Sequence, residues 1–598
     1  MKKKRLFLLL PVAAAAAMAV PAVKFMKKTP KERSRIFERK YINTLSKLHK
    51  NIPDVKESLK EEDFQSDNNE FLKEPAKDAG FSLGYSKISI LPEDVLKNPY
   101  YIGGTVMLPL NIATAVEDDL FVRTVSIDDN SGRGKVVFAA VDCIGLSNMN
   151  VQLVRERLKD FTKENNIAHI NIASTHTHSA IDTMGIWGPI FTAYKNNKAV
   201  KSGKKMGELI NSVDEKYMEF LLDIIAKSIK KSVLDMSKGE LYTAQMGSNS
   251  KERTSENDSI EKAGLFDYLW DRRPPKDNST LLTRIRFVPC DKSKNETIIA
   301  SCAAHPYINS LPIRGKNTGR TISGDFVYYM GETMEKAGYN FMFLNGAVEG
   351  VYPSRLYSDR LKNIEQAKAV GTELSMITLA MTKTTEEIEN SEILNPDIYE
   401  KSMGIFKDGE KSKYALWLEK KGDTVIPEKK AEPLINIRIS KAKLNVENPI
   451  YILIGKLEIG NFGVLKNSDG SYSSITEVGY MELGKNLKFA MIPGEMDPSI
   501  TSGTLVMKGE NVFTGEDFPL PSLEEIAKDD KLCVIGLCND AIGYIIPDND
   551  FLMVFFGSSK FAQRLFGSHY HETFSFGRKT ASTLVGAFIE AVGQQALS

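Results

Sequence analysis

From about Phe81 to the C-terminus, short apolar runs alternate with longer amphipathic stretches. The runs Lys135–Val141, His169–Ala173, Thr297–Ala304, Asn340–Leu344, Leu487–Ile492 and Leu532–Leu537 have the length and composition of buried strands. Apolar positions at helical spacing predict helices over Val151–Phe161, Lys216–Val233 and Asn363–Met381. Ser323-Gly324-Asp325 is placed to cap a further helix running toward Ala337. Strands and helices that alternate in this way predict an α/β fold. No internal repeat and no long Pro/Gly linker interrupts the region, so residues 78–598 are expected to form a single large mixed α/β catalytic domain.

Upstream the pattern changes twice. Residues 27–77 are rich in charge, with Glu57, Lys60, Glu61, Glu62 and Asp63 close together, and read as a stalk or linker. Residues 1–26 open with Lys2-Lys3-Lys4-Arg5 followed by apolar residues from Leu6 to Val23, the layout of an export signal or an N-terminal membrane anchor. Ala17-Met18-Ala19 is suited to cleavage, whereas the apolar length approaches the ~20 residues that span a bilayer. The rest of the chain is expected to be exported, secreted or at the outer face of the membrane, although Lys24, Lys27, Lys28, Lys31, Arg33 and Arg35 after the apolar run keep the positive-inside rule from settling orientation.

Composition narrows the partners. Acidic and basic residues nearly cancel over 598 residues, leaving a formal charge of +1, so no global field favours nucleic acid. The five cysteines lack the spacing of a disulfide framework or a cysteine zinc site and read as buried apolar residues.

The chain has only seven histidines, and four of them form two His-x-His pairs, His176-Thr177-His178 and His569-Tyr570-His571. Residues i and i+2 of an extended segment point to one side, so His176 and His178 can converge, one on a metal and the other on a proton. His176, His305, Glu495 and Asn539-Asp540 each follow a predicted strand. Polar groups collected at carboxyl ends of strands can form one site, and two histidines with a carboxylate suit a catalytic Zn²⁺ that keeps a position open for water.

Several of these segments resemble the neutral/alkaline ceramidases, zinc amidases that cleave the N-acyl bond of sphingoid lipids. The resemblance is carried by Gly103-Gly104, Ser174-Thr175-His176-Thr177-His178-Ser179, Ala304-His305-Pro306, Ser323-Gly324-Asp325, Pro493-Gly494-Glu495 and Gly543-Tyr544-Ile545. It implies that His176, His305, Glu495 and Tyr544 hold zinc, that His178 is the catalytic histidine, and that Arg253 and Tyr570 polarise the substrate. It further implies a lipid amide substrate and, from the length remaining after Tyr570, no C-terminal sandwich domain. Three positions depart from the family. Tyr352 stands where a Gly-Asp-x-Ser-Pro segment has its serine, Ala180 replaces a glycine, and His571 replaces a glutamate.

With that serine missing, water is the expected nucleophile and His178 the group that moves its proton. Met184–Phe191 and Phe551–Phe556 are two apolar, aromatic stretches suited either to an acyl channel or to ordinary core. Alternatives that keep the same fold are hydrolysis of another cell-envelope amide or ester, and a binding module without catalysis. Contact with a membrane surface remains open, as does the oligomeric state.

Overall fold

The structure is a computed structural model. It describes residues 70–104, 111–273, 276–310, 320–553, 563–565, 567 and 569–593, with a few positions between 28 and 36. The expected export or anchor segment and most of the stalk lie outside the described residues. No helix among those described is long and apolar enough to cross a membrane.

The strands, in chain order, are β1 (Phe81–Ser89), β2 (Phe121–Asp128), β3 (Lys135–Val141), β4 (Ile167–Ser174), β5 (Ser237–Met246), β6 (Leu282–Pro289), β7 (Thr297–Cys302), β8 (Asn340–Asn345), β9 (Ile435–Asn445), β10 (Tyr472–Leu483), β11 (Leu487–Met491) and β12 (Cys533–Ile535). All six strands expected from apolar runs are present. A nine-stranded sheet runs β8-β7-β6-β5-β1-β2-β3-β4, with Lys429–Lys430 added on β5. A five-stranded sheet runs β9-β10-β11-β12, with Leu465–Lys466 added on β10. Only β8/β7, β3/β4 and β11/β12 pair in parallel within these two sheets.

The sheets face each other across one layer of core. Val125, Phe138, Leu241 and Phe287 of the first sheet pack with Ile437, Met481, Phe489 and Ile535 of the second. Helices cover the outer faces. The helix α1 (Asn148–Arg157) lies beside α2 (Glu215–Leu234), whose buried stripe Tyr217, Leu221, Leu222, Ile225, Ile229 and Val233 packs on β1 and β2. Asp214 caps α2 by accepting from Tyr217 N–H. Its small side chains bring the helix close: Ser228 and Ser232 hydroxyls pair with Thr124 and Ser126 at 2.8 and 2.6 Å. Two further helices, α3 (Phe326–Lys336) and α4 (Asn363–Ala380), pack together beside the β8 end, and α5 (Thr580–Val592) covers β9 and β10. Asp325 caps α3 as the sequence predicts.

The ends of strands that carry the histidines do not share one parallel edge. Five antiparallel steps separate β7 from β3, so β7 and β4 run in opposite senses. A corner brings them together. Asn345, last residue of β8, donates to the carbonyls of Thr175 and Ala304 at 3.0 Å each and accepts from Ala304 N–H. The segment after β12 completes the corner, because Gly536 N–H donates to Asn345 O and Leu537 O accepts from Ser174 N–H.

Candidate metal centre and cavity

His176 and His178 leave β4 on a tight bend in which His176 takes φ 69°. That region costs a non-glycine residue on the order of 1–3 kcal/mol and persists where the surroundings fix it. Here they do: His176 N–H donates to Cys143 O, Thr175 N–H to Val141 O and His178 N–H to Pro306 O. Beneath them, the buried pair Arg123–Asp142 (2.9 Å) also holds the Thr175 hydroxyl.

The three histidines are built alike. Nδ1 of His176, His178 and His305 contacts the carbonyls of Ile144 (2.7 Å), Gly104 (2.9 Å) and Val351 (2.8 Å). A carbonyl can only accept, so each Nδ1 carries a proton, and in the neutral imidazole Nε2 keeps its lone pair. Gly104 is required here: at φ 99° its missing side chain is what leaves room for the His178 ring.

The Nε2 atoms converge. His178 Nε2 lies 3.3 Å from His176 Nε2, and one oxygen of Glu495 lies 3.2 Å from His176 Nε2 and 2.9 Å from His305 Nε2. The three histidines are buried and their nitrogens fall within 4.8 Å of one another. Lone pairs and a carboxylate so gathered repel unless a proton or cation lies among them. The donor set fits zinc, whose ~2.0–2.2 Å bonds to nitrogen and oxygen place neighbouring ligands about 3.4 Å apart. The backbone carbonyl behind each imidazole is the support that metal-binding histidines receive.

The charges are strongly coupled. Burial opposes ionisation of Glu495, but His176 and His305 beside it hold its carboxyl well below the usual range. Burial also opposes charge on His176, which Glu495 nevertheless raises. His178 is driven well below its ordinary value by burial and by its two histidine neighbours.

Glu495 is set by a short parallel pairing in which Glu495–Met496 lies against Tyr544–Ile545, with Glu495 opposite Tyr544. Burial and Glu495 push the Tyr544 phenol far up, so it stays protonated, and its hydroxyl interacts with that of Tyr570. Both rings flank His571, whose Nδ1 contacts Glu349. Burial raises the Glu349 carboxyl to about 8, against the pull of Arg273.

A cavity of about 730 Å³ opens over these groups. His176, His178, Glu495, Tyr544 and Tyr570 line it, and Ile144, Met184, Ile186, Trp187, Phe462 and Phe574 form an apolar wall. Thus Met184–Trp187 of the first aromatic stretch faces the cavity, while Phe191 is 62% exposed. Phe551 and Met553 of the second stretch pack with Tyr544 instead, Leu552 is buried, and residues 554–556 lie outside the described ones.

Arg253 is not drawn into this site. Its guanidinium pairs with Glu524 at 2.6 Å and with the Ser502 carbonyl, and it does not line the cavity. Asn539 and Asp540 tie β4 and α1 to the second sheet: Asn539 accepts from Ile172 N–H and Asp540 from Asn148 N–H. Arg272 and Tyr307, which sequence reasoning did not single out, do line the cavity. Arg272 follows the short strand Leu269–Asp271, which pairs with Val351–Pro353 and sets Trp270 opposite Tyr352. Tyr352, at the position of the family serine, stacks on His305 with ring centres 4.7 Å apart. No spacing or motif marks Arg272, because its position depends on a pairing between segments some 80 residues apart in the chain.

No protein-family profile matches the chain, and no curated protein matches it in sequence. Solved structures do. A ceramidase in complex with C2 superposes with TM-score 0.51 at 12% identity, over 87% of this chain and 77% of that one. The fold is that of a ceramidase. A neutral ceramidase from Pseudomonas aeruginosa superposes over 87% of this chain and 76% of its own, with TM-score 0.49 and 12% identity.

Proposed function

We propose that the chain is a zinc-dependent amidase of the ceramidase kind, hydrolysing an N-acylated amphiphile outside the cytoplasm. The observation that carries this reading is the convergence of three carbonyl-backed imidazoles and one carboxylate, of which His176, His178 and Glu495 line a cavity with an apolar wall. His176, His305 and Glu495 would hold the metal, with Tyr544 opposite Glu495 as the fourth group. Bound there, zinc supplies Lewis acidity toward a carbonyl and toward water.

The protein's own groups account for positioning and proton transfer. His178 touches His176 but makes no contact with Glu495, and its Nε2 lone pair is free to take a proton from water as the water oxygen adds to the amide carbon. The same nitrogen returns the proton to the departing amide nitrogen as the C–N bond breaks, giving a carboxylic acid and an amine. Tyr570, kept protonated by burial, is a donor for the oxygen that gains charge. Ile144, Met184 and Phe462 accept the acyl chain away from water. Tyr352 is no nucleophile in this scheme. Burial drives its phenol far up, and its hydroxyl meets the Arg272 guanidinium, which cannot take its proton.

The test is zinc content together with release of fatty acid from an N-acyl amide panel by the full-length protein. About one zinc per chain and chelator-sensitive hydrolysis are expected. A protein that binds no zinc and cleaves no amide overturns the reading.

A further inference from the structure

Arg272 and Arg273 are neighbours with opposite surroundings. They continue the strand Leu269–Asp271, in which successive side chains point to opposite sides. Asp271 and Arg273 face inward, where Arg273 is buried among Asp497 (3.2 Å), Glu572 (3.4 Å), Glu349 (3.7 Å) and Asp550 (2.5 Å). Trp270 and Arg272 face the other way. Trp270 stacks on Tyr352, and the Arg272 guanidinium lies beside the Tyr352 hydroxyl and 5.2 Å above the Tyr570 ring.

Four nearby carboxylates, Glu349, Asp497, Asp550 and Glu572, thus turn to Arg273, and Glu495 turns to the histidines. Among the described residues Arg272 has no acidic partner, only phenols, and it is the only lysine or arginine lining the cavity. A guanidinium matches a carboxylate with two parallel hydrogen bonds, and tyrosine hydroxyls cannot replace that charge. Its position sets where the charge on a ligand must lie. Only the Tyr352 ring separates Arg272 from His305, so the acid must lie near the amide and not at the far end of an acyl chain.

We infer that the cavity selects amides with an acidic group on the amine side of the scissile bond, of the N-acyl amino acid class, with Arg272 as the residue that reads the carboxylate. This rests on the amidase reading above and narrows its substrate. In the reaction water gives its oxygen to the acyl carbon and both its protons end on the nitrogen, so N-acylglycine yields a fatty acid anion and zwitterionic glycine.

N-decanoylglycine and N-decanoylglycinamide differ only in that charge, and titration calorimetry of the zinc-loaded full-length protein compares them directly. The acid should bind at least tenfold more tightly than the glycinamide. Arg272→Gln should remove the difference, and Arg272→Lys should keep part of it, with zinc content and circular dichroism confirming that both variants fold. Equal affinity of the wild type for the two compounds, or a preference that survives Arg272→Gln, overturns the inference. Turnover separates it from the parent reading. A wild type that cleaves the glycinamide yet binds the acid no better refutes the anion site alone, whereas Arg272-dependent preference for the acid without cleavage of either compound supports the site and refutes the amidase.

Discussion

The two histidines of the His176-x-His178 pair should fail in different ways when removed. His176 Nε2 is held to Glu495 at 3.2 Å and Glu495 is held to His305 at 2.9 Å, whereas His178, although its nitrogen lies within 4.8 Å of those of His176 and His305, makes no hydrogen bond to Glu495 and sits 3.3 Å from His176 Nε2. His176→Ala therefore breaks the ligand set, and His178→Ala leaves it whole. Loss of a positioned acid or base slows turnover by about 10²–10⁴-fold, or roughly 2.7–5.4 kcal/mol at ~1.36 kcal/mol per decade. The fold should tolerate the change, because the His178 ring borders the cavity and the main loss is its one hydrogen bond to Gly104, worth about 1 kcal/mol. Zinc is measured by elemental analysis after gel filtration, kcat on any amide that the wild type cleaves, and folding by thermal melting. His178→Ala should retain zinc and lose turnover, and His176→Ala should lose both. A folded His178→Ala protein without zinc would refute the assignment and make His178 a ligand.

Glu495→Gln keeps the shape of the side chain but removes the charge shared by His176 and His305, so zinc retention should fall at least tenfold in a competition with a chelator. Tyr352→Phe should keep turnover of neutral amides within about tenfold and show no acyl adduct by mass spectrometry in the wild type, in line with a phenol that lacks a base. His169, buried in β4, is pushed down to about 3 by burial and by Arg155. Its folded value is therefore below the unfolded ~6.5, the unfolded chain binds the proton first, and stability present above pH 6.5 is lost as pH falls toward 3. Between pH 6.5 and 4.5 this amounts to roughly 2 kcal/mol, and urea midpoints for wild type and His169→Asn should diverge in slope over that range. Protease added to intact cells should degrade the catalytic domain if residues 1–26 direct export, and full protection would count against that placement.

The strand and helix pattern was legible because the buried strands are short, apolar and bounded by polar turns. His176, His305 and Glu495 were legible for the same reason, each lying two to four residues beyond a strand end. What the sequence could not convey was how those ends meet. A parallel-edge crevice was the natural expectation, yet β4 and β7 run oppositely, and their ends meet through Asn345, Gly536–Leu537 and the His178–Pro306 backbone bond. The same limit explains the arginines. Arg253 was matched by its place along the chain, and the structure commits it to Glu524, while strand pairing brings Arg272 to the cavity.

The Asn345 corner bears on the order in which the molecule can assemble. Thr175, Ala304, Asn345 and Leu537 are scattered through the chain, so the histidines cannot be drawn together until the loops between them have closed, and contacts of such long sequence separation form slowly. Zinc affinity should accordingly appear late in refolding, after most helical ellipticity has returned. On the proposed zinc reading, a nascent chain still lacking Glu495 and the segment after β12 would present its histidines without the geometry to trap the ion.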